Sequence, residues 1–295
     1  MSSTPPPLAT NPDLSLENGL SALRAEVDRL DDALHELLMQ RAAVVERVAA
    51  VKGGGLALRP GREAQIIRRL LARHSGRLPQ HSILRIWREL LAGTCAMQGN
   101  FVLAVCEPGE AYAFTQLARE HFGALTPLRQ HPSPAQAIAE VSAGSASLAI
   151  LPPPEEAAQG AGAWWQALLH RDNPRIYIVG RLPFWLNRPE GAPRVTAFVA
   201  AALAPDPSGD DRSLLGLEVP AELSRARVTA AFQAAGFSVG QILLCRPGSE
   251  ALARLLVDVA GHVTNDDPRL AVLARELGPA VVLGGYAVPI QAESA

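Results

Sequence analysis

From Leu20 to Lys52 the chain reads LSALRAEVDRLDDALHELLMQRAAVVERVAAVK, and this stretch predicts one long helix. Leu20, Leu23, Val27, Leu30, Leu34, Leu37, Val44, Val48 and Val51 alternate three and four apart, the rhythm of a coiled-coil-like seam. One member of that rhythm is replaced: between Leu37 and Val44 stands Arg41. A guanidinium in an apolar seam is costly to desolvate unless it meets an anion. Arg41 therefore either binds one, snorkels out of the seam, or pairs with a helix carboxylate such as Glu36.

The helix ends on Lys52, the only lysine among 27 Lys+Arg. In a chain so biased toward arginine, a lone lysine points to a place where a compact ammonium is wanted rather than a planar fork. The alternatives are drift, or a cation complementing the dipole at a helix C-terminus. At about 1.5 Å and 100° per residue, Arg41 and Lys52 share a face roughly 16 Å apart, close enough for two long side chains to converge on one ligand. Arg24 lies roughly 25 Å from Arg41 and about 100° round the helix, so it reaches that ligand only from a second, antiparallel copy.

A length of 295 residues fits two domains or three small ones. The net charge of −2 argues against a nucleic-acid partner, which needs a basic surface. Cys95, Cys106 and Cys245 are odd in number and widely spaced, which suggests neither a disulfide framework nor a zinc site and fits a reducing compartment. No signal-peptide pattern and no bilayer-spanning apolar run is visible, so the expected location is cytoplasmic, with no membrane partner. Residues 1–15, rich in Pro, Ser and Thr, are expected to be disordered.

After Lys52, GGG at 53–55 is expected to stop the helix. Pro60 suits the first position of a second helix, with Ile66, Ile67, Leu70 and Leu71 as its apolar face and Arg62 and Glu63 in its first turn. Glu63 there complements the helix dipole, whereas Arg62 opposes it and asks for another reason. A third helix begins at Leu78-Pro79, with Ile83, Ile86, Trp87, Leu90 and Leu91 as its stripe, continued by Thr94 and Gln98 four apart on one face. Those two either bond their own helix and the solvent or form the polar floor of a pocket.

A long helix with Arg24, Arg41 and Lys52, then Arg62-Glu63, then Thr94 and Gln98, resembles the all-helical chorismate mutases over 16–100. The resemblance implies an all-α, three-helix module in an intertwined homodimer, with chorismate and prephenate as ligands and Arg24 contributed across the interface. It implies that Arg41 and the partner chain's Arg24 clamp the two carboxylates. Lys52 and Gln98 donate to the ether oxygen, Glu63 accepts from the ring hydroxyl, and Arg62 and Thr94 support the carboxylates or the wall. The family often has an acidic residue three before the arginine of its RE pair; here that place holds Arg59. The rearrangement is intramolecular and needs no cofactor or metal, and none is expected. A lyase acting on isochorismate shares this helical architecture.

The rest of the chain alternates strands and helices, which makes the whole α+β and multidomain. Strands are read in FVLAVC at 101–106, after a helix within SPAQAIAEVSAGSASLAILP at 133–152, in PRIYIVGRLPFW at 174–185 and in VTAFVAAALA at 195–204. Residues 101–205 resemble a shortened prephenate dehydratase region whose motifs are worn. Its Gly-rich loop survives as Glu107-Pro108-Gly109, PPPEEA at 152–157 replaces Glu-Asn-Ser/Thr, and Thr-Arg-Phe is reduced to Thr196-Ala197-Phe198. The region is expected to be inactive; the alternative is a working mutase–dehydratase. Residues 206–290 read strand, helix, strand, strand, helix, strand and resemble an ACT regulatory domain, with Cys245-Arg246-Pro247 where that family has Ser-Arg-Pro. Ala221-Glu222-Leu223 replaces its amino-acid-binding turn, so the unit either takes an aromatic amino-acid effector or serves only to build a dimer. A third possibility for the chain as a whole is a non-enzymatic helical dimer with a sensing tail.

Overall fold

The computed structural model describes residues 12–52, 58–156, 160–170, 173–246 and 251–291. Residues 1–11 and the glycines at 53–55 lie outside them, as do Ala157 of the PPPEEA segment and Pro247 of Cys245-Arg246-Pro247. The chain divides into two compact units, Met1–Gly54 and Gly55–Ala295.

The first unit is one helix, α1, Pro12–Lys52. It begins before Leu20 and takes in residues 12–15 of the segment expected to be disordered; Pro12 supplies the fixed φ that suits a first helical position. Its seam residues lie open, with Leu23 and Leu37 each 60% exposed. Among the described residues no helix is long and apolar enough to cross a membrane.

The second unit opens with α2, Pro60–Ala72, and α3, Gln80–Ala96. Strands and helices then alternate: β1 Leu103–Cys106, α4 Ala113–Phe122, β2 Leu128–His131, α5 Pro134–Ser142, β3 Leu148–Leu151, β4 Tyr177–Leu182 and β5 Ala197–Ala201. A 3-10 segment, Ala161–Leu169, sits between β3 and β4 and buries Trp164 and Trp165. The last part is β6 Asp211–Pro220, α6 Arg225–Ala234, β7 Val239–Cys245, β8 Leu252–Ala260, α7 Pro268–Leu277 and β9 Val281–Ala287, in the strand–helix order read from the sequence.

All nine described strands form one mixed sheet in the order β2-β1-β3-β5-β4-β9-β6-β8-β7. The two halves meet where β4 runs parallel to β9, with Ile178 opposite Gly284. Gly284 has φ +136°, and a Cβ there would lie 2.0 Å from the Ile178 carbonyl oxygen, so only glycine lets the strands approach. Helix starts are chemically marked. Ser133, Ser224 and Asp267 cap α5, α6 and α7 by accepting from the backbone N–H of Gln136, Arg227 and Arg269.

α2 is bound to the C-terminal strands through Arg68, which donates to Ser208 O and Oγ, to Asp210 O and, at 2.8 Å, to Val288 O. Ala64, Ile67, Leu91 and Phe184 form a small core between α2, α3 and the segment after β4. α3 buries Leu91 and Thr94 of the stripe read from the sequence, together with Arg88, Ala92 and Cys95, while Ile86 of that stripe is 51% exposed.

Candidate active site

Three of the expected site residues, Arg24, Arg41 and Lys52, stand on α1. Arg24 is exposed, Arg41 is half-buried, and Lys52 is the last residue of the helix. An unbroken helix keeps Arg41 and Lys52 on a common face about 16 Å apart along the axis.

Arg62 and Glu63 occupy the first turn of α2, but their side chains face different surroundings. Arg62 is exposed and reaches Gln65 Oε1 at 3.3 Å. The start of the helix is held by Asp206, which accepts from the backbone N–H of Gly61 at 2.9 Å and of Arg62 at 3.2 Å, and from Arg59 Nε at 3.1 Å. A carboxylate at a helix N-terminus satisfies its unpaired N–H groups and its dipole together. Arg59, standing where the mutase family often has an acid, is therefore engaged by an acid from elsewhere in the chain.

Glu63 is buried, and Arg88 Nη1 donates to its Oε2 at 3.1 Å. The buried pair needs both charges, because removing either leaves the other desolvated without this counter-charge. Burial lowers the Arg88 pKa from 12.5 to about 10, with the Glu63 carboxylate drawing it back up, so the guanidinium stays charged at neutral pH. Cys95 feels the same carboxylate: burial, then the Glu63 charge, push its thiol up to about 12. Glu63 thus lies beside the stretch of α3 that carries Thr94.

Thr94 and Gln98 are bonded to one another and to their own helix. Thr94 Oγ1 donates to Leu91 O at 2.9 Å, and Gln98 Nε2 donates to Thr94 O at 3.1 Å. This is the self-satisfied arrangement for the hydroxyl. A primary amide has two N–H donors, and the bond to Thr94 uses one.

Arg88 and His121 are functional candidates that the sequence reading passed over. Both line a cavity of about 310 Å³ between α3, α4 and residues 183–189. Burial, and then the Arg88 charge, hold the His121 pKa well below its usual value, so the ring is neutral at pH 7. The spacing Leu84, Arg88, Leu91, Cys95 was the available signal, an arginine inside a buried stripe.

The segments of the α/β half read from the sequence as altered motifs are bonded into the fold. Glu107 Oε2 accepts from Thr115 N at the start of α4. Glu156 holds Arg225 and accepts from Leu244 N at 3.1 Å. Phe198 faces Arg181 across the β4–β5 pair, and the Arg181 guanidinium lies over the Phe198 and Tyr286 rings at 6.0 and 5.7 Å. At Ala221-Glu222-Leu223, the carbonyls of Ala221 and Leu223 accept from Arg246 at 2.7 and 2.8 Å.

Residues 23–99 match the family described as chorismate mutase type II. Among curated proteins, a bifunctional chorismate mutase/prephenate dehydratase of Pseudomonas aeruginosa is 31% identical over 153 residues, 49% of this chain and 41% of that protein. The chain thus spans less than half the length of that relative. Among solved structures, one described as a novel type of quorum quenching acylase has a TM-score of 0.48 at 21% identity, covering 64% of this chain and 95% of its own. A prephenate dehydratase of Arthrobacter aurescens in complex with L-Phe has a TM-score of 0.46 at 14% identity, covering 63% and 90%. Both scores are too low for either likeness to bear on function.

Proposed function

We infer, from the chorismate mutase type II domain carried by residues 23–99, that this protein converts chorismate to prephenate. That match is the observation on which the reading rests. Arg24, Arg41 and Lys52 of α1 fall within the matched range.

The rearrangement breaks one C–O bond and forms one C–C bond within a single molecule, so catalysis consists of holding the compact conformer and stabilising charge on the ether oxygen. Arg41 and the Arg24 of a second copy each clamp a carboxylate, for which a planar fork is the fitting shape. Lys52 and the second N–H of Gln98 donate to the ether oxygen. Glu63 accepts from the ring hydroxyl; a carboxylate has about four lone-pair sites, so its bond to Arg88 leaves accepting capacity. Thr94, its proton committed to Leu91, forms wall, and Arg62 supports carboxylate binding. The open apolar seam of α1 supports a homodimer, since leucines at this exposure need a partner surface.

Residues 101–205 serve as scaffold without dehydratase turnover: the arginine of Thr-Arg-Phe is replaced by Ala197, and Glu156 is engaged by Arg225. Occupation of the Ala221 and Leu223 carbonyls by Arg246 favours a structural role for residues 206–290 over aromatic amino-acid binding.

The test is loss of chorismate absorbance with wild type and Lys52→Ala side by side. Wild type turns chorismate over, and Lys52→Ala loses roughly 10²–10³ in rate with its fold intact. Equal rates would mean that the site lies elsewhere, and an inactive wild type would leave the helical module as a scaffold.

A further inference from the structure

The cavity between α3, α4 and residues 183–189 is lined by none of the residues proposed for the rearrangement. Its apolar surface comes from Leu84, Leu117, Phe184 and Trp185. Its wall is fixed before any ligand arrives. Leu186 N donates to Ile290 O at 2.9 Å and Ile290 N to Phe184 O at 2.7 Å, while Arg68 holds Val288. A preformed concave site of a few hundred Å³ with apolar walls and a few polar groups suits a small molecule.

The formally charged groups of the lining are mostly cationic. Arg85, Arg88 and Arg188 line the cavity against one carboxylate, Glu120. Glu120 is bonded to Arg188, and Glu63 neutralises Arg88 from behind, so Arg85 remains in excess. Arg188 keeps a buried Nε that has no hydrogen-bond partner among the described residues, and a buried donor without an acceptor is costly. The Arg88 guanidinium lies 5.0 Å from the centre of the Phe184 ring, which combines a charged and an aromatic surface at one wall. His121, being neutral, adds no charge.

We propose that this cavity binds a small monoanion with an aromatic ring, an arylalkanoate, with the carboxylate toward Arg85 and Arg188 and the ring against Phe184 and Trp185. One unmatched cation selects a monoanion over a phosphate ester or a dicarboxylate. The aromatic and aliphatic walls select a ring over a polar chain. The site uses only residues of Gly55–Ala295 and is independent of the chemistry assigned to α1.

The experiment is calorimetric titration of the full chain with 3-phenylpropanoate and with its uncharged amide, 3-phenylpropanamide. One carboxylate binds per chain, and the amide binds about tenfold more weakly or worse, since bonds to charged groups are the stronger ones. Arg85→Gln combined with Arg188→Gln weakens the carboxylate about tenfold, while Lys52→Ala leaves its affinity unchanged. If the double variant is unfolded by circular dichroism, Arg85→Gln alone, at an exposed position, decides by a several-fold loss. No binding, equal affinity for acid and amide, arginine variants that bind like wild type, or loss of binding in Lys52→Ala would each overturn the assignment.

Discussion

Arg88 donates to Glu63 at 3.1 Å with the two side chains only 5% and 11% exposed, which makes this pair the electrostatic joint between α2 and α3. Breaking it from one side strands a buried charge. Arg88→Leu is expected to cost about 3–5 kcal/mol in urea unfolding. Arg88→Leu with Glu63→Met restores most of that loss, because a buried ion pair replaced by apolar groups of similar volume is often neutral. A double variant as unstable as the single one would show that packing, not the charge pair, joins the helices.

Asp206 carries a second long-range joint, at the N-terminus of α2. It accepts two backbone N–H groups and the Arg59 guanidinium, so Asp206→Ala should cost about 1–2 kcal/mol. Gly61→Ala tests the same contact sterically, because a Cβ there would lie 2.3 Å from the Asp206 carbonyl oxygen. Both variants should lower the melting temperature while leaving the circular dichroism of the folded state unchanged. An unaffected melting temperature in both would remove this joint from the account.

These joints show which parts of the fold were legible beforehand and which were not. The course of α1 from Leu20 to Lys52, though not its start at Pro12, the two helices after it and the six-element pattern of β6 to β9 follow from periodicity and turn residues, which are local. Two local features escaped. β2 is four residues, LRQH, at a sheet edge, too short and polar to alternate visibly. The 3-10 segment Ala161–Leu169 follows a proline-rich stretch and carries two tryptophans that read as irregular. The stripe of α3 was legible in part: Leu91 and Thr94 are buried as read, Ile86 is not, and the buried face also takes in Arg88, which an apolar stripe leaves out. Its partner Glu63 is 25 residues away, and Asp206 bonds Gly61 across 145, distances over which no sequence pattern pairs charges. On α1, Arg41 and Lys52 stand out because each breaks a strong local regularity, Arg41 an apolar rhythm and Lys52 an arginine-only usage.

The buried thiols of Cys95 and Cys106 make stability fall at alkaline pH. Burial, then Glu63, raise Cys95 from 9.0 to about 12; burial, then Glu107, raise Cys106 from 9.0 to about 11. Between pH 9 and those values the unfolded chain has lost protons that the folded chain keeps. Their contribution is therefore complete below pH 9 and is lost as pH rises through about 11 and 12. Arg88, lowered to about 10, acts in the opposite sense and only above that value. Urea midpoints should fall from pH 9 to pH 10 in wild type and fall less steeply in Cys95→Ala. Parallel slopes would mean that the thiol ionises equally in both states.

The assignment of Arg24 to a second copy can be tested without a structure of the dimer. Arg24→Ala and Lys52→Ala should each be inactive alone, since every site in either homodimer lacks one cation. In a mixed dimer one site draws Lys52 from the first variant and Arg24 from the second and is whole, while the other lacks both. Random reassociation makes half of the dimers mixed, so unfolding and refolding an equal mixture should restore about a quarter of wild-type activity. A mixture that stays inactive would place Arg24 and Lys52 in the same chain's site. Arg24→Ala with full activity on its own would remove Arg24 from the chemistry altogether.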